Sequence, residues 1–190
     1  VTKLLCLENT VNGRIQTAEH LSNLCAAARR HNLYCHLDGA RLMNAAVASN
    51  MQAKAFTTSF DSVSLCLSKG LAAPVGSVLV GNKAFIARAR RLRKQLGGGM
   101  RQVGMLAAAG HYALDHNISR LQKDHERAFA LATALQTIDD VHVEMDAVET
   151  NMVYMKLPDA RAAGLKPYLA EKGLLISPAK QTFRLVVHKD

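Results

Sequence analysis

Two side chains stand out for the chemistry they could do. Lys69, in Ser68-Lys69-Gly70, directly follows the apolar run Val63 to Leu67, so its amine is expected at the tip of a buried strand. Burial there disfavours the ammonium form and leaves a nucleophile suited to Schiff-base chemistry. Asp38, in His36-Leu37-Asp38-Gly39-Ala40-Arg41, ends a second apolar run with few polar neighbours. A carboxylate buried there needs a cationic partner, and a protonated ring nitrogen would serve. Arg41 offers a planar fork that can grip a carboxylate. Each residue also has a plainer reading: Lys69 as a loop lysine, Asp38 as the cap of a helix starting near Arg41, and Arg41 as a solvent-exposed cation.

The elements that must position these residues follow from periodicity. Lys3 to Glu8 reads as a strand, Thr17 to Arg30 as a capped helix, and Leu33 to Asp38 as a second strand. Arg41 to Ala48 is helical, Val63 to Leu67 and Ser77 to Val80 are strands, and Lys83 to Gln95 is a basic helix. Alternation of this kind predicts an α/β sheet flanked by helices, with ligands bound at the carboxyl ends of the strands, where Asp38 and Lys69 fall. After Gly97-Gly98-Gly99 come two helical stretches, Arg101 to Asp115 and Ile118 to Ile138. Strands at Val141 to Met145, Met152 to Leu157, Leu174 to Ser177 and Phe183 to Val187 surround a helix at Ala160 to Lys172. A larger domain over 1–117 and a smaller α+β domain over 118–190 are therefore expected.

A strand-end Asp followed by a strand-end Lys is the arrangement of a pyridoxal 5'-phosphate enzyme, in which the Asp keeps the ring nitrogen protonated and the Lys binds the aldehyde. The surrounding motifs point further. Leu7-Glu8-Asn9-Thr10, His36-Leu37-Asp38-Gly39-Ala40-Arg41, Cys66-Leu67-Ser68-Lys69-Gly70-Leu71, Pro74-Val75-Gly76-Ser77, Gly97-Gly98-Gly99-Met100-Arg101-Gln102 and Phe183-Arg184-Leu185-Val186-Val187-His188 occur in order. Together they resemble the low-specificity L-threonine aldolases from about residue 3 to 188.

The resemblance implies the aspartate aminotransferase type of fold. This is a fold-type I pyridoxal phosphate transferase large domain, here partial, with a mostly parallel sheet and flanking helices, followed by a small α+β C-terminal domain. It implies that Lys69 is the Schiff-base lysine and Asp38 the partner of the pyridine nitrogen. Arg184 then grips the substrate carboxylate, and Arg41 lies near both cofactor and carboxylate. Arg101, implied as a cofactor-binding residue, and Lys94 become cations of the Gly-rich segment that look toward the active site or a subunit interface. The activity implied is cleavage of L-threonine, L-allo-threonine or related β-hydroxy-α-amino acids to glycine and an aldehyde, in a homo-oligomer that is tetrameric in the family. One position departs from the pattern: Val11 in Glu8-Asn9-Thr10-Val11-Asn12 replaces a family His that lies near the substrate β-hydroxyl, which opens the stereochemical preference at Cβ. Both ends look cut. The family's phosphate-binding loop and ring-stacking His precede the region matching Val1, and its last helix follows Asp190, so the 190 residues are expected to belong to a longer chain and to bind the cofactor weakly alone.

Composition narrows the alternatives. Apolar residues make up 49%, charged residues 21% and aromatics 5%, and the mean hydropathy is zero, which describes a globular chain and excludes a disordered or collagenous one. Neither a membrane span nor a signal peptide is legible, which predicts a cytoplasmic protein. The net charge of +9 is concentrated in Lys83, Arg88, Arg90, Arg91, Arg93, Lys94 and Arg101. That stripe could bind a polyanion on a degenerate aldolase scaffold, but it has no repeated aromatic interleaving to support base stacking, and no nucleic-acid partner is expected. A second alternative is a pyridoxal phosphate-dependent β-eliminating lyase, which would keep Lys69 and Asp38. Cys6, Cys25, Cys35 and Cys66 match neither a zinc pair nor a redox motif and are expected to be reduced and mostly buried. No metal site is expected, the histidines reading as surface or satisfied core residues and Met145, Met152 and Met155 as core filling.

Overall fold

The computed structural model describes residues 1–177 and 180–188. Three parallel strands, β1 (Leu4–Glu8), β2 (Tyr34–Gly39) and β3 (Ser62–Cys66), lie side by side, and β4 (Ser77–Gly81) closes the row antiparallel to β3. The register aligns Glu8 with Asp38 and Asp38 with Ser64, so the carboxyl ends of β1 to β3 share one edge. Parallel neighbours need crossovers, and helices supply them. α1 (Ala18–Arg30) is capped by the Thr17 hydroxyl, which accepts from the His20 amide at 3.1 Å, and it buries Leu21, Cys25 and Ala28 against the sheet. α2 (Leu42–Ala48) and the short α3 (Ala53–Thr57) complete this core, with Phe56 and Leu42 packed on Leu37 and Val63. Periodicity does not foresee α3, because five residues are too few to display a helical repeat.

The basic helix α4 (Lys83–Gln95) starts where expected, with the Asn82 side chain accepting from the Phe85 amide at 2.9 Å, and none of its residues is buried. α5 (Gly104–His116) and α6 (Leu121–Gln136) follow. α6 is shared between two cores. Leu121 packs with Leu67 and Leu71 of the first sheet's loop region, whereas Ala128 and Ala132 pack with Val143, Val153 and Phe183. The latter belong to an antiparallel sheet of β5 (His142–Val143), β6 (Met152–Lys156) and β7 (Thr182–Val186), which α7 (Asp159–Glu171) accompanies. Met152 and Met155 are buried, and Met145 packs against the cluster that holds Met155, as core filling requires.

Two expected strands change. The run Val141 to Met145 keeps only two paired residues, because Met145 to Ala147 turn into a single 3-10 turn. Leu174 to Ser177 does not pair. The Leu174 amide instead donates to the Leu169 carbonyl while Gly173 takes φ of 76°, a helix-closing geometry that ends α7 and leaves Leu175 exposed. The four thiols are free, but only Cys25 and Cys35 are buried; burial and the adjacent Cys35 push the Cys25 thiol up to about 12. Among the described residues no helix is long and apolar enough to cross a membrane.

Candidate active site

Asp38 is the fifth residue of β2, followed by Gly39. A Cβ on Gly39 would stand 2.6 Å from the Ser64 carbonyl, so glycine is what lets β2 run this close to β3 just beyond the carboxylate. The Asp38 side chain is exposed, contrary to the buried carboxylate expected from its neighbours. The strand edge opens toward solvent there, and alternation along β2 puts Leu37 inward and Asp38 outward. Nor does Asp38 cap α2, whose N-cap is Arg41 with no side-chain cap bond. One oxygen, Oδ1, accepts from the Ala40 amide at 3.0 Å, and Oδ2 makes no hydrogen bond among the described residues.

Lys69 is likewise exposed, which corrects the expectation of a desolvated amine. The turn that carries it is what is buried. Leu67, Gly70, Leu71 and Ala73 are buried, and the Ala72 amide donates back to the Lys69 carbonyl at 2.8 Å. A strand-end turn can thus hold its backbone in the core and lift one long side chain out of it.

Arg41 is where the elements converge. Its guanidinium is half-buried, and its Nε is enclosed with no hydrogen-bond partner. Burial, and next the charge of Arg184, depress its pKa below the usual arginine value, while Glu8, Tyr154 and Cys66 act in the opposite sense. Arg184 lies on β7 directly opposite Tyr154 on β6, so the second sheet delivers both to the carboxyl edge of the first. Cys66, at the end of β3, feels Lys69; burial raises its thiol, but the Ser68 and Ser77 hydroxyls and the Lys69 charge outweigh that and leave it below the ordinary cysteine value. Charges from four other chain segments, distant in sequence, therefore bear on one half-buried guanidinium.

Arg101 and Lys94 are not tied to this group. Both are exposed, and neither shares a hydrogen bond or ion pair with Asp38, Arg41, Lys69 or Arg184 among the described residues. Val11 is partly exposed, in a loop held down by β6 and the segment that leads into it. Thr150 Oγ1 donates to the Gly13 carbonyl at 2.6 Å, the Glu149 carboxylate accepts from the Ile15 amide at 2.7 Å, and the Tyr154 hydroxyl donates to Asn12 Oδ1 at 3.2 Å.

Sequence reasoning missed two contributors. Asn9 is fully buried, and its side-chain amide closes the loop by pairing both ways with the Gln16 backbone at 3.1 Å. Its own amide donates to the Asp38 carbonyl and its carbonyl accepts from the Arg41 amide, so it ties the Val11 loop to the Asp38–Arg41 turn. The polar amide at the end of an apolar strand was the available signal. Tyr154 was the second, hidden because only cross-strand register places it opposite Arg184. His125 departs from the expectation of satisfied histidines, since its Nδ1 is buried without a partner. Among the described residues no cluster of His, Cys, Asp or Glu could hold a metal ion.

An exposed amine and a half-free carboxylate thus lie at or just past the carboxyl ends of neighbouring parallel strands, the edge from which Arg41 starts α2. The fold is that of pyridoxal phosphate-dependent threonine aldolases and aminotransferases. A threonine aldolase structure from Leishmania major superposes with a TM-score of 0.73 at 22% identity, covering 98% of this chain and 56% of that one. A PLP-dependent aminotransferase from Streptococcus suis superposes with a TM-score of 0.73 at 16% identity, covering 98% of this chain and 52% of that one.

The chain belongs to the beta-eliminating lyase family, whose model matches residues 1–158. It is 46% identical over 189 residues to the low specificity L-threonine aldolase of Escherichia coli K12, an alignment that takes in 100% of this chain and 56% of the relative. The chain thus spans about half the length of the curated relatives it matches. Enzymes of this family depend on pyridoxal phosphate.

Proposed function

We propose that the protein cleaves L-threonine, L-allo-threonine or a related β-hydroxy-α-amino acid to glycine and an aldehyde, with pyridoxal 5'-phosphate as cofactor. The observation that carries this reading is Arg41, half-buried with an enclosed and unpartnered Nε and feeling the charge of Arg184, at the strand-end edge that also bears Asp38 and Lys69. Two like charges are held together with a buried, unpartnered Nε, an arrangement that calls for an anion such as an amino-acid carboxylate. Identity of 46% to a named L-threonine aldolase supports the substrate class.

The residues present fit the cofactor. Asp38 Oδ2 is free to accept a hydrogen bond from a protonated ring nitrogen, and Lys69 offers a free amine from the adjacent strand end. Pyridoxal phosphate, when bound, supplies an aldehyde that condenses with amines and a ring that accepts electrons from bonds at Cα. Arg184, helped by Arg41, would fix the substrate carboxylate and so decide which Cα bond stands perpendicular to that ring. Asp38 would keep the ring nitrogen protonated. Lys69 would hold the cofactor aldehyde until an amino acid displaces it and would return as glycine leaves. Val11 brings no titratable group to the position that resemblance places near the β-hydroxyl, so proton removal from that oxygen falls to a group elsewhere in the site, and the stereochemical preference at Cβ stays open.

The division into a cofactor-binding part over 1–117 and a small domain over 118–190 belongs to this reading. So do a cytoplasmic location and a homo-oligomeric assembly. Arg101 and Lys94 are assigned to a neighbouring site or subunit contact, because they are exposed and apart from the Arg41 group. A second reading, β-elimination giving a keto acid in place of glycine, is favoured by the description of the matching family.

Two measurements test the proposal. Borohydride reduction after addition of pyridoxal phosphate, followed by peptide mapping, should give a single pyridoxyl adduct on Lys69; scattered or absent labelling of the full-length protein overturns the cofactor assignment. Product analysis with L-threonine should give equimolar glycine and acetaldehyde, and a keto acid in their place selects β-elimination.

A further inference from the structure

The buried polar side chains are not spread evenly. Asn9, Thr10, Thr150 and Asn151 surround the Val11 loop, while Asn44, Asn117, Asp124 and His125 gather beneath the turn that carries Lys69. Burying such groups is costly unless their bonds fix something, so the second cluster asks what it fixes.

Each member bears on the turn or on the helix under it. Asn117 Nδ2 donates to the Leu71 carbonyl at 2.8 Å in a buried bond. Asn44, on α2, meets His125 Nε2, on α6, at 3.1 Å. Gly70, next to Lys69, lies so tightly on this pair of helices that a Cβ there would stand 2.9 Å from Leu121 Cδ2 and 3.4 Å from Asn44 Oδ1. At the start of α6, the N-cap residue Arg120 grips the fully buried Asp124 with both terminal guanidinium nitrogens, the closest contacts at 2.8 Å. Within the turn, the Ala73 amide donates to the Leu67 carbonyl and Ala72 takes φ of 57°, a conformation that an alanine adopts only when its surroundings impose it.

We infer that Asn117 and the Asn44–His125 pair are positioning residues that set the height and direction of Lys69 by clamping its turn onto α2 and the start of α6. The lysine then owes its placement less to the strand it follows than to a helix that also carries the second sheet. Arg184 comes from that sheet, so the amine and the carboxylate-binding arginine are referenced to one rigid element, α6. This inference rests on the reading of Lys69 as the cofactor lysine.

The experiment follows adduct formation at Lys69 by borohydride trapping with pyridoxal phosphate, with pH as the variable, in the full-length protein and in Asn117→Ala and His125→Gln. Amide hydrogen exchange of the unsubstituted protein is recorded alongside. In the variants, trapping at Lys69 should fall at least fivefold relative to other labelled lysines while the circular dichroism spectrum is retained, and its pH midpoint should move. In the unsubstituted protein, the Ala72 and Ala73 amides should exchange within about tenfold of those at the start of α6, because turn and helix open together. Trapping within twofold of the unsubstituted protein in both folded variants overturns the inference, and so does exchange at Ala72 and Ala73 a hundredfold faster than in α6. If a variant fails to fold, the exchange comparison decides alone. Absence of any adduct on Lys69 in the unsubstituted protein would instead strike at the proposed function, so the two failures are told apart.

Discussion

Arg41 at the start of α2 lies within the electrostatic reach of Arg184 on β7, like charge to like charge, and the charge of Arg184 adds to burial in lowering the Arg41 pKa. Such a pair is unfavourable until an anion sits between the partners. Acetate or glycine should therefore raise the melting temperature in a saturable way, by the mass-action relation for a ligand that binds only the folded state. Arg184→Ala should abolish that shift. In turnover assays the same variant should lose about 2 kcal/mol or more of carboxylate binding, seen as a KM at least ~30-fold higher with a smaller change in kcat. An unchanged KM would remove Arg184 from the site.

Lys69→Ala should eliminate both the trapped adduct and turnover. Asp38→Asn should retain a trapped adduct at Lys69 but lower kcat by about 100-fold or more, since a neutral amide cannot hold the ring nitrogen protonated. Comparing adduct yield with kcat in the two variants checks the division of labour. Equal loss of adduct in both would mean that Asp38 serves binding alone.

Burial holds the His125 ring below the ordinary histidine value near 6.5, with Glu126 only partly offsetting it. The folded protein thus keeps the ring neutral where the unfolded chain already takes up a proton. Its contribution to stability is complete above about pH 6.5 and is lost as pH falls below that value toward the depressed folded pKa. Urea midpoints measured from pH 8 to pH 5 should decline over the acid part of that range, and His125→Gln should flatten the decline. A slope unaltered by the substitution would assign the acid sensitivity to other groups.

Asn9→Ala should destabilise the protein by about 1–3 kcal/mol, because it strands the Gln16 amide and carbonyl in a part-buried position. Thermal unfolding measures the loss. The same variant should loosen the Val11 loop and with it the Asp38–Arg41 turn, read as a rise in KM for both threonine and allo-threonine.

Val11→His should alter the ratio of kcat/KM for L-threonine and L-allo-threonine, by returning a titratable ring to the position that resemblance places near the β-hydroxyl. The two substrates assayed in parallel check this. A constant ratio would mean that the loop does not reach the β-carbon.

Much of the first sheet was legible because its strands are apolar runs with punctuation at both ends. Helices α1 and α4 start within a residue of where the sequence puts them, and Thr17 and Asn82 cap them there, since a cap is a local interaction that the neighbouring sequence determines. Leu174 to Ser177 misled for the converse reason: an apolar run becomes a strand only where a partner is within reach, and here the Leu174 amide was already used to end α7. Asp38 and Lys69 were found by type and position, yet both were expected to be buried. Residue type says nothing about which side of a strand end meets solvent.

The sequence by itself therefore determined which residues carry chemistry and in which order the strands and helices that bear them occur, because types, caps and periodicity are properties of short segments. Only the tertiary structure decided that Arg184 meets Arg41, that Tyr154 stands opposite Arg184, and that Asn44, Asn117 and His125 lie under Lys69. Those relationships join residues far apart in the chain, and their geometry follows from strand register and helix packing, which depend on how the whole core closes.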